Sequence, residues 1–387
     1  MTRSRRAGVA LALALAMTGP AEAAATLAGA DLRPLPFAAL PGWAADNHAA
    51  AYRAFHRTCA KVAQDGSVLR PAQPADAALV RVCRKAHDLG SELEPDRARA
   101  FFESHFTPVD VVPPSGKGFL TGYYEPEFAG SLTREGAFQV PLLDRPDDLV
   151  TVPQGETLAG LDPGLQAARR TSTGYEPYPN RAAIEDGALG RWGKPIVYLK
   201  EPGEAFIIHV QGSARIRLPD GSALRVAYAG RNGHAYTSIG RVLVERGEIP
   251  LPEMSLERLM GWLRDHPGPA RELMRLNRSY IFFRVATELK PEDGPIGGAG
   301  VPLTPGRSLA VDRSLWSYGL PVWLEGERPL SLERSEPLRR LMIAQDTGSA
   351  IVGPARGDFY VGSGPEAGTQ AGLMRHPVRF VVLRPKP

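Results

Sequence analysis

The stretch Leu341–Gly364, LMIAQDTGSAIVGPARGDFYVGSG, constrains the fold more than any other part of the chain. Its apolar runs, Leu341-Met342-Ile343 and Phe359-Tyr360-Val361, are short and are broken by Gly, Ser and Pro, so they read as buried strands joined by turns. Asp346 enters an Asp346-Thr347-Gly348 turn after the first run, and Asp358 stands just before the second. Carboxylates where strands meet loops are held rigidly and remain open to a ligand. Aspartate is equally an ordinary turn former, so position alone leaves both a chemical and a structural role open.

The start of the chain gives an address. Arg3, Arg5 and Arg6, the apolar run Gly8 to Met17, and Ala21-Glu22-Ala23 before Ala24 form a secretory leader over residues 1–23. That run is too short to span a bilayer, and no later segment approaches the ~18 apolar residues a membrane helix needs. Export to the periplasm is the expectation, with no lipid-anchor cysteine near the cleavage site. Roughly 360 residues remain, enough for two domains or one large domain with an insertion. Formal net charge is +4, and the leader's three arginines and one glutamate leave +2 on the mature part. With no basic run, this balance argues against a nucleic-acid partner. Cys59 and Cys83, the only two cysteines, lie on neighbouring predicted helices and read as a disulfide or as two buried thiols.

Helical periodicity appears over Ala45 to Val62, Asp76 to Leu89 and Pro95 to Phe106, a layer that reads as scaffold. Strand and turn patterns dominate from Phe119 onward, interrupted by a loop-rich stretch, Asp144 to Pro179. Phe206 to Ser213 reads as a strand placing Ile207, His209 and Gln211 on one face. It continues through Arg215-Ile216-Arg217, turns at Asp220-Gly221 and returns as Leu224 to Tyr228. Asn232-Gly233 then turns into a helix bearing Tyr236, Ile239, Val242 and Leu243. A further helix follows with Ser255 as its N-cap. Ser279 to Arg284, Ser308 to Arg313 and Pro321 to Leu324 read as later strands, with Asp312 at the end of one.

The eight histidines are scattered without His-x-His or His-Glu-x-x-His spacing, which argues against a zinc site. Gln211-Gly212-Ser213-Ala214 lacks the second glycine of a serine-nucleophile elbow. Asp346-Thr347-Gly348-Ser349 matches the active-site loop of aspartic proteases, but such enzymes need two carboxylates sharing a proton and the motif occurs once. Asp312, Asp346 and Asp358 instead suit acid chemistry on a sugar chain, with Tyr123, Tyr124, Tyr228, Tyr236 and Tyr360 available as flat faces or as core filler.

Several longer motifs recur together. Thr121-Gly122-Tyr123-Tyr124-Glu125-Pro126, Val210-Gln211-Gly212-Ser213, Tyr228 to Tyr236, Ser279-Tyr280-Ile281-Phe282-Phe283 and Ala344-Gln345-Asp346-Thr347-Gly348 resemble the membrane-bound lytic murein transglycosylase A family. The last motif, with Asp312 and Asp358, resembles that family's C-terminal three-aspartate domain. The match runs in order from about Phe119 to the C-terminus, about two-thirds of the chain. The resemblance implies an α+β, mainly β fold. A double-psi β-barrel of residues 24–127 and 278–387, with the N-terminal helices, carries an inserted β-rich domain of residues 128–277.

It also implies cleavage of the β-1,4 bond between N-acetylmuramic acid and N-acetylglucosamine, leaving a 1,6-anhydro end and using no cofactor. Asp358 maps onto the catalytic acid, Asp346 onto its electrostatic neighbour and Asp312 onto the third aspartate. Thr121, Tyr123, Tyr124, Gln211, Ser213, Asn232 and Tyr236 are the implied sugar-binding positions. Peptidoglycan glycan strands are the implied partner, with cell-wall synthesis or division proteins as further ones, and a monomer is expected. The absent lipid-anchor cysteine departs from the family, so a soluble periplasmic protein is the expectation despite the family name, with outer-membrane association as the alternative. A silent glycan-binding module and a two-carboxylate hydrolase are the alternatives. The chain departs from the family at Ala214 and Ser349, where glycine is usual and an extra Cβ narrows a backbone approach to the sugar. Arg356, two residues from Asp358 on one strand face, should lower its pKa unless it points elsewhere.

Overall fold

The structure, a computed structural model, describes residues 25–387 apart from 64–67, 153–155, 159–160, 163–164, 291 and 332. The leader lies outside the described residues. Six strands close on themselves: Gly118–Glu125, Arg375–Pro385, Pro321–Pro329, Ser335–Asp346, Ser308–Val311 and Arg356–Ser363, the last pairing back onto the first. The ring leaves these strands no free edge. Its interior is filled by Leu120, Leu309, Leu324, Phe359 and Phe380, all at most 2% exposed, while Trp323 and Leu341 face the other way toward the helical layer. Phe106–Val112 and Ala30–Pro34 extend the same sheet outside the ring.

The helical layer forms where its apolar spacing predicts. Asn47 caps the His48–Val62 helix by accepting the Ala50 N–H at 3.0 Å, and Asp76 caps Ala77–Leu89 by accepting that of Leu79 at 2.7 Å. Tyr52, Phe55 and Cys59 of the first pack with Leu79, Val82 and Cys83 of the second against the barrel. Cys59 and Cys83 form a disulfide. Two polar ties fuse the layer to the strands beneath. Arg307 meets Asp46 at 2.8 Å, with both side chains nearly excluded from water. Buried Gln345 donates to the Ala54 carbonyl at 3.0 Å and to the Thr58 hydroxyl at 2.7 Å.

The insertion is a six-stranded sheet ordered Ile281–Val285, Ala223–Arg231, Ser213–Arg217, Glu127–Ser131, Pro195–Leu199 and Val140–Leu143. Its strands thus run from Glu127 to Val285, and the hairpin expected at Asp220-Gly221 is present. Glu125, the last residue of its barrel strand and fully buried, binds this sheet to the barrel. It meets Arg215 at 2.9 Å and Arg225 at 3.1 Å from the insertion, and accepts the Ser363 hydroxyl at 2.8 Å from the barrel.

Four expectations are corrected. Phe206 to Gln211 is not a strand but part of the Pro202–Gln211 helix. Pro202 opens that helix, Glu201 and Glu204 form a reciprocal capping box, and Gly212 ends it at φ 82° in the left-handed region. Phe206 and Ile207 face a helical cluster while Ala205 and Ile208 face the sheet. A helix buried on both sides loses the polar stripe that reveals its period. Tyr236 precedes its helix, which begins at Ile239 after the Ser238 cap. Asp358 lies within its strand, not before it. The stretch read as loop, Asp144 to Pro179, carries a three-stranded sheet, Leu149–Thr151, Ala167–Thr171 and Gly174–Pro177.

Replacing both Cys59 and Cys83 with Ala should cost about 3 kcal/mol, read by denaturant titration. Wild type should lose the same amount in reductant, and the double variant nothing further. Glu125→Gln, which leaves two guanidinium groups facing a neutral amide, should cost about 3 kcal/mol in the same assay.

Candidate active site

Register places the acidic residues in one row across the barrel. Ala310 lies opposite Asp346 on one side and Asp358 on the other, and Asp358 lies opposite Thr121. Paired residues on adjacent strands project to the same face, so the row reads carboxyl, methyl, carboxyl, hydroxyl. Two strand spacings separate the carboxyl-bearing backbones by roughly 10 Å. The small Ala310 between them leaves the space above the row open, and all four residues line a cleft of about 840 Å³ between barrel and insertion.

Asp358 is packed in protein yet opens onto this cleft. Burial pushes its carboxyl up from the ordinary value to about 6. The Arg356 charge and the Thr121 hydrogen bond oppose the rise, and the Asp346 charge adds a little to it. Arg356 does share the neighbourhood, as its strand position predicts. Its guanidinium is engaged by the Thr121 hydroxyl at 2.8 Å, by the Gly357 carbonyl and by the Phe119 ring. Thr121 therefore accepts from Arg356 and gives its own proton to Asp358 Oδ1. Oδ2 makes no hydrogen bond among the described residues, so a proton on the neutral acid sits on Oδ2.

Asp346 is also pushed up by burial, against the nearby Arg70 charge and the N–H groups of Thr347 and Gly298. Tyr123 donates to its Oδ2 at 2.9 Å and Gly298 N–H to its Oδ1 at 2.8 Å. Glycine is required at 298, because a Cβ there would lie 2.3 Å from the Tyr318 hydroxyl. Asp312 serves the backbone. Its Oδ1 accepts the Ser314 N–H at 2.9 Å and hydroxyl at 2.6 Å, and its Oδ2 accepts the Gly353 N–H at 2.7 Å, which pins the loop leading to Asp358.

The insertion supplies the opposite wall. Gln211, Ser213 and Tyr236 line the cleft. Gln211 accepts the Tyr124 backbone N–H at 3.2 Å, and its amide nitrogen makes no hydrogen bond among the described residues. Burial raises the Tyr236 hydroxyl, and the Asp358 charge across the cleft adds to the rise. Two implied sugar-binding residues do not line the cleft. The Tyr124 ring is buried beneath Gly368, where a Cβ would come within 2.7 Å of it. Asn232 is fully buried, donating to the Pro179 and Arg278 carbonyls at 2.9 Å each and accepting the Tyr280 N–H at 2.8 Å. Tyr360 is core filler at 0% exposure. The Ala214 methyl packs in the core of the inserted sheet, away from the cleft, whereas Ser349 stands exposed on the cleft lip. Sequence reasoning missed Arg70, Arg231 and Arg313, which also line the cleft.

Comparison with known proteins now bears on this geometry. The MltA specific insert domain matches residues 119–284, and the 3D domain matches residues 307–384. The crystal structure of a membrane-bound lytic murein transglycosylase from Agrobacterium tumefaciens superposes with a TM-score of 0.82 at 37% identity, covering 92% of this chain and 97% of that one. Escherichia coli MltA with bound chitohexaose superposes with a TM-score of 0.60 at 30% identity, covering 80% and 83%. Membrane-bound lytic murein transglycosylase A of Escherichia coli K12 is 38% identical over 278 residues, 69% of this chain. The aligned part spans 66% of that relative, just under two thirds of its length. Fold and matched domains define the class, the lytic murein transglycosylases. Within it, the chain belongs to the membrane-bound lytic murein transglycosylase A family. Among the described residues no helix is long and apolar enough to cross a membrane.

Because its folded-state pKa is raised, Asp358 contributes stability that is fully present below the unfolded value near 4 and is lost as pH rises through about 6. Asp358→Asn should therefore be more stable than wild type above pH 6, by up to about 3 kcal/mol, with the gain gone below about pH 4. Denaturant titrations across this range check the crossover.

Proposed function

We propose that this chain cleaves the β-1,4 bond between N-acetylmuramic acid and N-acetylglucosamine in peptidoglycan without water, leaving a 1,6-anhydromuramic acid end. The observation that carries the reading is Asp358, a cleft-lining acid that burial pushes up to about 6 and whose Oδ2 makes no hydrogen bond among the described residues. Its family and the glycan bound by the Escherichia coli relative supply the substrate class.

Protonated Asp358 donates from Oδ2 to the glycosidic oxygen as the bond to C1 breaks and an oxocarbenium-like centre forms. The carboxylate left behind takes the proton of the muramic acid C6 hydroxyl, and O6 closes on C1. Asp358 ends the cycle protonated, as it began. The nucleophile is already tethered to the reacting ring, so neither an activated water nor a second carboxylate nucleophile is needed. Thr121 holds Oδ1, and Arg356, diverted to Thr121, does not take the proton donor out of service. Asp346 acts as the negative neighbour that supports a raised pKa and faces the developing positive charge at C1. Asp312 holds the loop before the Asp358 strand. Tyr123, Gln211, Ser213 and Tyr236 offer hydroxyl and amide groups to the sugars. The barrel with its N-terminal helices forms the catalytic body, and the inserted sheet, whose strands run from Glu127 to Val285, forms the second wall. The protein works in the periplasm, exported by its leader.

Mass spectrometry of digested murein should show anhydro-ended fragments; reducing ends would mean hydrolysis, and intact strands a binding module. Asp358→Asn should lower turnover by at least about a thousandfold while glycan binding survives. Wild-type kcat/KM should fall as pH rises through about 6, as the acid is lost.

A further inference from the structure

Three guanidinium groups converge on the Asp346 end of the cleft from three separate parts of the chain. Arg70 comes from the segment that crosses the barrel after the first helix, where its N–H donates to the Gly298 carbonyl at 3.0 Å. Arg231 ends the Ala223–Arg231 strand of the insertion, and Arg313 follows Asp312 on the barrel. All three line the cleft. Arg70 lies 4.0 Å over the Tyr228 ring and donates to the Thr347 carbonyl at 2.7 Å, while Arg313 donates to the Pro71 carbonyl at 3.1 Å. The Arg231 guanidinium makes no hydrogen bond among the described residues, and none of the three forms an ion pair there.

That arrangement is costly within the protein alone. Burial, together with the neighbouring charges of Arg70 and Arg313, holds Arg231 below the ordinary guanidinium value, yet a guanidinium stays charged. The carboxyls nearby do not offset it. Asp312 is spent on Ser314 and Gly353, and Asp346 on Tyr123 and Gly298. Glu156 lines the same cleft without pairing with any of the three among the described residues. Elsewhere in the molecule some partly buried arginines, Arg215, Arg225 and Arg307, each meet a carboxylate, while Arg145 and Arg356 are held by backbone carbonyls. An unmatched positive cluster in a cleft focuses an anionic ligand, and a planar fork suits a carboxylate. Asp346 feels Arg70, whereas the charges acting on Asp358 are those of Arg356 and Asp346. The cluster can thus hold an anion without disarming the proton donor.

We propose that Arg231, with Arg70 and Arg313, is a binding site for a carboxylate of the bound strand, selecting muramic-acid-containing glycan over an uncharged N-acetylglucosamine polymer. The proposal rests on the reading of the cleft as a murein site. Murein offers such a carboxylate either on the lactyl ether of muramic acid, once its peptide is removed, or on the attached peptide.

Calorimetric binding in the Asp358→Asn background tests it with three probes: a peptide-bearing murein oligosaccharide, the same strand stripped of peptides by an amidase, and chitohexaose. Arg231→Gln should weaken a carboxylated probe about tenfold, with the carboxylate-dependent part shrinking as salt is added. Chitohexaose affinity should stay within about twofold, which also shows that the variant folds, and Arg231→Lys should recover part of the loss. A loss confined to the stripped strand assigns the lactyl carboxylate, a loss confined to the peptide-bearing probe assigns the peptide, and a loss on both means that either carboxylate occupies the site. An equal loss on chitohexaose, or no loss on either murein probe, overturns the proposal. Anhydro-ended products alongside Arg231-independent affinity would sink this inference alone. Arg231-dependent affinity without anhydro products would sink the activity reading alone.

Discussion

The cleft exists because Glu125, a fully buried carboxylate at the end of a barrel strand, is held by Arg215 and Arg225 of the inserted sheet and by Ser363 of the barrel. A buried ion pair gains little net energy over an apolar contact, but it cannot slide, since any misplacement leaves a bare charge. That property suits a joint whose task is geometric. The insertion begins two residues later at Glu127, so its sheet starts from a fixed point. Gln211, Ser213 and Tyr236 are thereby carried over the barrel row that holds Asp346 and Asp358. On the other side, the Arg307–Asp46 pair and the Gln345 network anchor the helical layer under the strand that ends in Asp346.

The acid's electrostatics follow from that framework. Strand register, not loop geometry, sets the row of Asp346, Ala310, Asp358 and Thr121. Burial then dominates over the Arg356 charge, because that guanidinium is shared with Thr121 and the Gly357 carbonyl. The charge of the neighbouring Asp346 is the smallest of the contributors at Asp358. Asp346 itself is satisfied by Tyr123 and Gly298, so its environment is built as carefully as that of Asp358.

Much of the fold was legible locally. Capped amphipathic helices, the Asp220-Gly221 hairpin and the apolar cores of the strands carrying Asp346 and Asp358 declare themselves through spacing and turn chemistry, whereas the Arg375–Pro385 strand was not read. The Pro202–Gln211 helix was misread because Phe206-Ile207-Ile208 is buried on both sides. Glu201, Pro202, Glu204 and Gly212 carried the correct signal in their caps. The aspartates were legible as a group, and all three line the cleft, but which of them keeps an oxygen free for a ligand was not. Asp312 spends both oxygens on turn and loop N–H groups, a fact that depends on where Gly353 lies. Asn232 and Tyr124 show the limit of motif resemblance, which marks a segment without saying which way a side chain points. Arg70, Arg231 and Arg313 share no local pattern; only barrel closure and the insertion bring them together.

The proposed activity requires Asp358 to hold a transferable proton near neutral pH. Carboxyl carbon-13 NMR of aspartate-labelled protein, with Asp358→Asn to assign the resonance, tests it directly. The account predicts a midpoint of about 6 for Asp358. An ordinary midpoint near 4 would contradict it.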